Sequence, residues 1–215
     1  PMQKAINYAM TSFFTTGGIR GQKKGMDKFY PRSFNMGVRR EVYKALGGFS
    51  NMRFGEDIDF STRIFKDGYR CRLFPEAWVY HKRRTDLRKF FKQVHNSGIA
   101  RIHLSRRHPG THKLVHLLPA IFTLGVVFLL LNAVLLALFG HGCLSLATLS
   151  PLFLFSLLIG LDATRRERSL GVGCRAVAAA FVQLLGYGSG YLRAWWQCRV
   201  LHSGEFEAFS DSFYQ

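Results

Sequence analysis

The sequence predicts an α/β domain that runs into a set of membrane helices. Three observations predict it. The first 113 residues carry 24 Lys and Arg against 8 Asp and Glu, and glycines punctuate them. Within that stretch, short alternating apolar runs follow helical ones, the pattern of a sheet domain with helices. Beyond Lys113 the chain becomes nearly neutral and holds apolar runs of membrane length. The division expected is a partial α/β domain over 1–113, a membrane region of two or three helices over 114–196, and a polar tail over 197–215. The chain of 215 residues has a formal charge of +17.

Residues 1–16 read as the end of a helical or extended region, with Ala5, Ile6, Tyr8, Ala9, Met10, Phe13 and Phe14 apolar. Gly17-Gly18-Ile19-Arg20-Gly21, followed by Lys23, Lys24, Lys28 and Arg32, is a basic Gly-rich loop. It is either a solvated surface or a cradle for phosphate. Ser33 to Val38 reads as a short strand. Arg39 to Leu46 reads as a helix, ended by Gly47-Gly48, because glycine takes the left-handed position after a helix without steric cost.

Gly55-Glu56-Asp57-Ile58-Asp59-Phe60 then opens a helix that runs to Lys66 and stops at Gly68. Carboxylates suit a helix N-terminus, where unpaired N–H groups attract negative charge. Glu56 and Asp57 therefore have either that structural role or a chemical one. Asp57 and Asp59 point about 200° apart on a helix, at about 100° per residue, so Asp-Ile-Asp is not a metal clamp. Tyr69, Cys71 and Leu73 alternate with Arg70 and Arg72 as in a strand. Ala77 to His81 reads as a second strand, with His81 at its exit, where α/β sheets place ligands.

Thr85 suits a helix cap. Leu87, Phe90, Phe91, Val94, Gly98 and Ile102 form one stripe, with Arg88, Lys89, Lys92 and His95 opposite and Gln93, Asn96 and Arg101 on the flank. This helix lies either on the membrane surface or against its own domain. Leu114 to Phe139 is one span and Leu144 to Leu161 a second, interrupted by Pro151. Ala176 to Trp196 is either a third span or an interfacial helix. Basic residues flank the first two spans at 82–113 and 162–175, while the loop at 140–143 has none, which places both flanks in the cytoplasm. Cys71, Cys143, Cys174 and Cys198 form no CxxC pair and read as free thiols. There is no signal peptide, and the start at Pro1 falls mid-pattern, so further sequence is expected upstream.

Phe34-Asn35-Met36-Gly37-Val38-Arg39-Arg40-Glu41, Gly47-Gly48-Phe49, Gly55-Glu56-Asp57-Ile58-Asp59-Phe60, Gly68-Tyr69 and Val79-Tyr80-His81, in that order, resemble the acceptor-side half of a family 2 glycosyltransferase of GT-A fold. The agreement covers about residues 33–110, and the spans resemble those of membrane-anchored bacterial members. The resemblance implies the C-terminal half of a GT-A domain followed by transmembrane helices in the bacterial inner membrane, with the catalytic domain cytoplasmic. It implies inverting transfer of a sugar from a nucleotide-sugar to a hydroxyl of a lipid-linked or saccharide acceptor, with Asp57 as general base and Glu56 beside it. It assigns Gly48, Asp59, Gln93 and Arg101 to the acceptor. It assigns His81 to a Mg or Mn ion on the leaving diphosphate. Gln93-Val94-His95-Asn96-Ser97 lacks the Gln-x-x-Arg-Trp string of processive relatives, which favours single addition. The donor half and its DxD would precede Pro1, so this stretch alone is expected to be inactive.

A non-catalytic, membrane-anchored basic module that binds anionic polymer or lipid explains the charge and the spans equally well. It does not explain the Glu-Asp stretch. Basic charge gives phosphate affinity, but no nucleic-acid recognition motif accompanies it. The spans hold almost no charge from which to build a transport path.

Overall fold

A computed structural model describes residues 1–17, 30–52, 54–74 and 76–202. The basic glycine loop over 18–29 and most of the polar tail, from 203 on, lie outside the described residues. The elements are α1 (Met2–Thr11), α2 (Phe13–Thr16), α3 (Arg40–Ala45), α4 (Glu56–Lys66), α5 (Leu87–Arg107), α6 (Leu118–Leu138), α7 (Gly142–Thr148), α8 (Ser150–Glu167) and α9 (Leu170–Arg199), with single 3₁₀ turns at Ser33–Asn35 and Leu114–His116.

The α/β expectation, and with it the GT-A half-domain, is corrected: there is no strand among the described residues. Ser33–Asn35 coils into the 3₁₀ turn, and the runs 69–73 and 77–81 form no ladder. A strand satisfies its N–H and C=O groups only through a neighbour, and no described segment pairs with these. Their alternating side chains therefore stay in the open. Leu73, Phe74, Trp78 and Tyr80 are all exposed, Tyr80 by 91%.

Helix α9 is the axis of the molecule. Its small residues let four helices approach its backbone closely, which is how helices associate where apolar burial alone gives no drive. Ala176, Ala179 and Ala180 are fully buried in one cluster with Ala5, Ile6 and Ala9 of α1 and Ile159 and Ala163 of α8. Gly173 faces Thr164 and the carbonyl of Gly160, and Gly188 faces Thr123 and the carbonyl of Pro119 on α6. Gly98 of α5 meets the carbonyl of Tyr187, and Gly190 meets that of His95. A side chain at any of these positions would overlap its neighbour. The segment 176–196, open between a span and an interfacial helix, is thus part of one continuous helix of 30 residues. The expected charged loop over 162–175 shrinks to a turn at Arg168 and Ser169.

The apolar stripe of α5 is present, with Phe90, Val94, Gly98 and Ile102 buried, and it faces α9. Helix α1 is fastened to the end of α8 by Tyr8, whose hydroxyl donates to Asp162 at 2.6 Å, and by Lys4 and Glu167 at 3.2 Å. Burial first, then that hydrogen bond, pushes the Tyr8 hydroxyl up to about 12.

Helix α6 buries little beyond Ala120, Val126 and Ala133, and its leucines point outward. Both α6 and α9 are long and apolar enough to cross a membrane, and α7 with α8 passes the same test as a pair bent by 42°. The bend falls at Leu149, ahead of Pro151 in the first turn of α8, where a missing N–H costs nothing.

Candidate active site

The acidic stretch forms as the sequence predicts. Gly55, at φ 87°, turns the chain into α4, and Glu56, Asp57 and Asp59 occupy its first turn. Below it, Gly47 and Gly48 take φ 70° and 68° after α3. Gly48 is buried, and a Cβ there would lie 2.7 Å from the ring of Tyr43. Tyr43, Phe49 and Phe60 pack edge-on or tilted, with centroids 5.0–6.1 Å apart, and support α4 from beneath.

The two aspartates have separate partners. Asp57 is 8% exposed; its Oδ1 accepts from the Ile58 N–H at 2.8 Å, and its Oδ2 meets Arg32 Nη1 at 3.4 Å. Asp59 is 2% exposed and has both oxygens engaged. Its Oδ1 lies 2.7 Å from His108 Nε2, and its Oδ2 accepts from Arg63 Nε at 3.0 Å and Nη2 at 2.9 Å. Burial pushes the Asp59 carboxyl up, but the hydrogen bonds from His108 and Arg63 outweigh it and hold the group below its ordinary range. Arg63 also donates to the carbonyls of Leu46 and Gly48, at 2.6 and 2.7 Å. Glu56 is half-buried, and burial, then the charge of Asp57, pushes its carboxyl up.

The remaining predicted residues are dispersed. Gln93 on α5 accepts from Arg84 Nε at 3.1 Å. Arg101 is half-buried on α5, near His116. His81 is exposed and stacks on Phe34, with centroids 4.3 Å apart. It lines a cleft of about 500 Å³ with Gln3, Lys4, Asn7, Phe34, Val79 and Arg83. Arg83 donates to Asn7 Oδ1 at 3.1 Å, and its guanidinium is lowered by burial, then by the charge of Arg32. Arg32 thus stands between the acidic pair and the His81 cleft.

That cleft does not fit a metal ion by itself. No three His, Cys, Asp or Glu side chains converge to hold one among the described residues. The charged neighbours of His81 are Lys4 and Arg83, which repel a dication and suit an anion.

Sequence reasoning did not single out His108, Lys66 or Arg83. His108 meets α4 from 49 residues away, so no local pattern announces it. Only the Asp59–Arg63 spacing of four residues, one helical turn, carried a signal.

Residues 29–161, more than half of the chain, match the family model described as Glycosyl transferase family group 2. The chain belongs to that family. It is a glycosyltransferase, and its chemistry is sugar transfer from a nucleotide-sugar donor to an acceptor. The match takes in α3, α4, α5, α6, α7 and all but the last turns of α8, so it covers both the acidic stretch and the first apolar helices. No curated protein and no solved structure matches the chain.

Proposed function

We propose that this glycosyltransferase inverts the sugar it transfers and that Asp57 is the general base. One observation carries the reading: Asp57 keeps an oxygen within reach of a hydroxyl, while both oxygens of Asp59 are taken. The Oδ2 of Asp57 has only the 3.4 Å contact to the half-exposed Arg32, which an acceptor hydroxyl can share. The acceptor O–H donates to Oδ2. As that oxygen bonds to the anomeric carbon, the bond to the nucleotide diphosphate breaks on the opposite face and the proton passes to Asp57. Glu56 sits alongside and orients the acceptor. Arg32, in contact with Asp57, and Arg83 offer positive charge to the anionic leaving group. Asp59 serves the support of the site in this reading, and Gly48 forms the floor of the acceptor side.

The enzyme acts as a multi-pass protein of the inner (cytoplasmic) membrane, with the acidic helix on the cytoplasmic side. The outward leucines of α6 and the Lys/Arg excess of residues 82–113 support this. An acceptor held at that membrane, lipid-linked or saccharide, fits a site whose supporting helix α5 rides on α9.

The test is Asp57→Asn in the full-length enzyme. General base catalysis contributes about 10²- to 10⁴-fold, and transfer should fall by that factor while membrane insertion is kept. Full transfer by the variant would sink the assignment.

A further inference from the structure

The side of α4 facing away from Asp57 holds a second polar cluster that plays no part in the chemistry above. Asp59, His108, Arg63 and Lys66 form it, and Asp59 and His108 are buried to 2% and 5% exposure. Lys66 Nζ lies 3.1 Å from His108 Nδ1. An ammonium has only donors, so Nδ1 is the acceptor, and the ring proton sits on Nε2 and is donated to Asp59 Oδ1. Asp59 in turn fixes Arg63, which holds the carbonyls of Leu46 and Gly48. The cluster therefore ties three pieces together: the turn after α3, the helix α4, and the C-terminal end of α5.

Helix α5 is itself immobilised. Its Gly98 lies on the backbone of α9, and Gly186 of α9 is covered by Val94 and Phe91. Gly55, the entry to α4, abuts Leu104 and Ala100 of α5. We propose that His108 is a positioning residue for sugar transfer: by donating to Asp59 it registers α4 against the α5–α9 pair and so sets where Asp57 stands. Asp57 and Asp59 are two residues apart on one helix, so a shift at one is a shift at the other. A misplacement of about 1 Å costs on the order of 10²-fold in rate.

The inference rests on Asp57 as the base, and the experiment separates the two. Full-length enzyme is prepared in native membranes as wild type, His108→Gln, His108→Leu, Lys66→Met and Asp57→Asn. Donor use is screened with radiolabelled UDP-glucose, UDP-N-acetylglucosamine and GDP-mannose, and kcat and KM are taken with the donor that reacts. His108→Leu should lower kcat about 10- to 100-fold with the donor KM within about twofold. His108→Gln, whose amide N–H reaches the same oxygen, should recover kcat to within about threefold of wild type. The ¹⁵N spectrum of the His108 ring should show the Nε2–H tautomer in the wild type and still show a proton on Nε2 in Lys66→Met, where the Asp59 carboxylate accepts it as before. Wild-type kcat in His108→Leu, an equal fall in both His108 variants, or a wild-type Nδ1–H tautomer would each overturn the proposal. If His108→Leu does not fold, the Gln variant and the tautomer decide it. Should Asp57→Asn transfer sugar normally, the base reading fails, while the ring tautomer and the Gln rescue still judge the clamp.

Discussion

The bundle around α9 and the segment from Tyr30 to Arg84 belong to one chain but satisfy their backbones in opposite ways. Each helix of the bundle closes its hydrogen bonds within itself, and packing then has only to bring small residues into contact. Most of the 30–84 segment lacks that independence. Outside α3 and α4 it makes few backbone bonds, and it leaves Leu73, Phe74, Trp78 and Tyr80 exposed. Its own core is small: Val42, Phe60 and Ile64, with Met36, Leu46 and Cys71 against them. Beyond that core, its acidic helix is tied to the C-terminal end of α5 by the contacts of Asp59 and Lys66 with His108. On the proposed assignment of Asp57, the chemistry sits on the weaker half and borrows rigidity from the stronger one.

The largest effect belongs to Asp57→Asn, which should remove transfer about 10²- to 10⁴-fold and leave the thermal unfolding of the bundle unmoved. Parallel loss of unfolding temperature would show that the two halves are not separable in this way. Asp59→Asn comes next. Removing one partner of a buried ion pair costs about 3–5 kcal/mol, and the loss should fall on the docking of α4 to α5, read by amide exchange.

The same carboxylate carries a pH signature. Asp59 sits below its ordinary value of 3.8 in the folded state, so the unfolded chain binds more protons there. Its contribution is complete above that value and disappears as pH falls through the depressed one. Wild-type α4 should therefore loosen in acid below about pH 4, and Asp59→Asn should flatten that slope. An unchanged acid profile in the variant would contradict the depressed value.

Gly98→Leu sharpens the other half. Overpacking costs about 1–3 kcal/mol, here between α5 and the backbone of α9, and activity should fall with it because α5 carries the clamp. Stability lost without activity would break the link between the regions. Trp78→Ser and Tyr80→Ser should be the mildest, within about 0.5 kcal/mol, since both side chains are exposed. A large loss would mean that a covering surface meets them in the enzyme.

Much of the site was legible in the sequence because its signals are local. Gly47-Gly48, Gly55 and Gly68 mark turns, and all four take positive φ. Of the stripe Leu87, Phe90, Phe91, Val94, Gly98 and Ile102, Phe91 is exposed, Leu87 is half-buried and the other four are buried, but periodicity does not name the partner, which is α9. Residues 69–73 misled for a physical reason. Alternation records which side chains share a face, and a strand also needs a neighbouring backbone, which no described segment supplies. The glycines at 186, 188 and 190 left α9 open for a similar reason. Glycine weakens an isolated helix, and only contact with α5 and α6 shows why these positions must be small. His108 was invisible because its role depends on a contact across 49 residues.

The role of Asp57 is tested most directly by the anomeric configuration of the product, read by proton NMR on the sugar transferred by the full-length enzyme. A base at Asp57 acting in a single displacement predicts inversion relative to the donor. Retention would require a different chemistry, and Asp57 would then lose the role assigned to it.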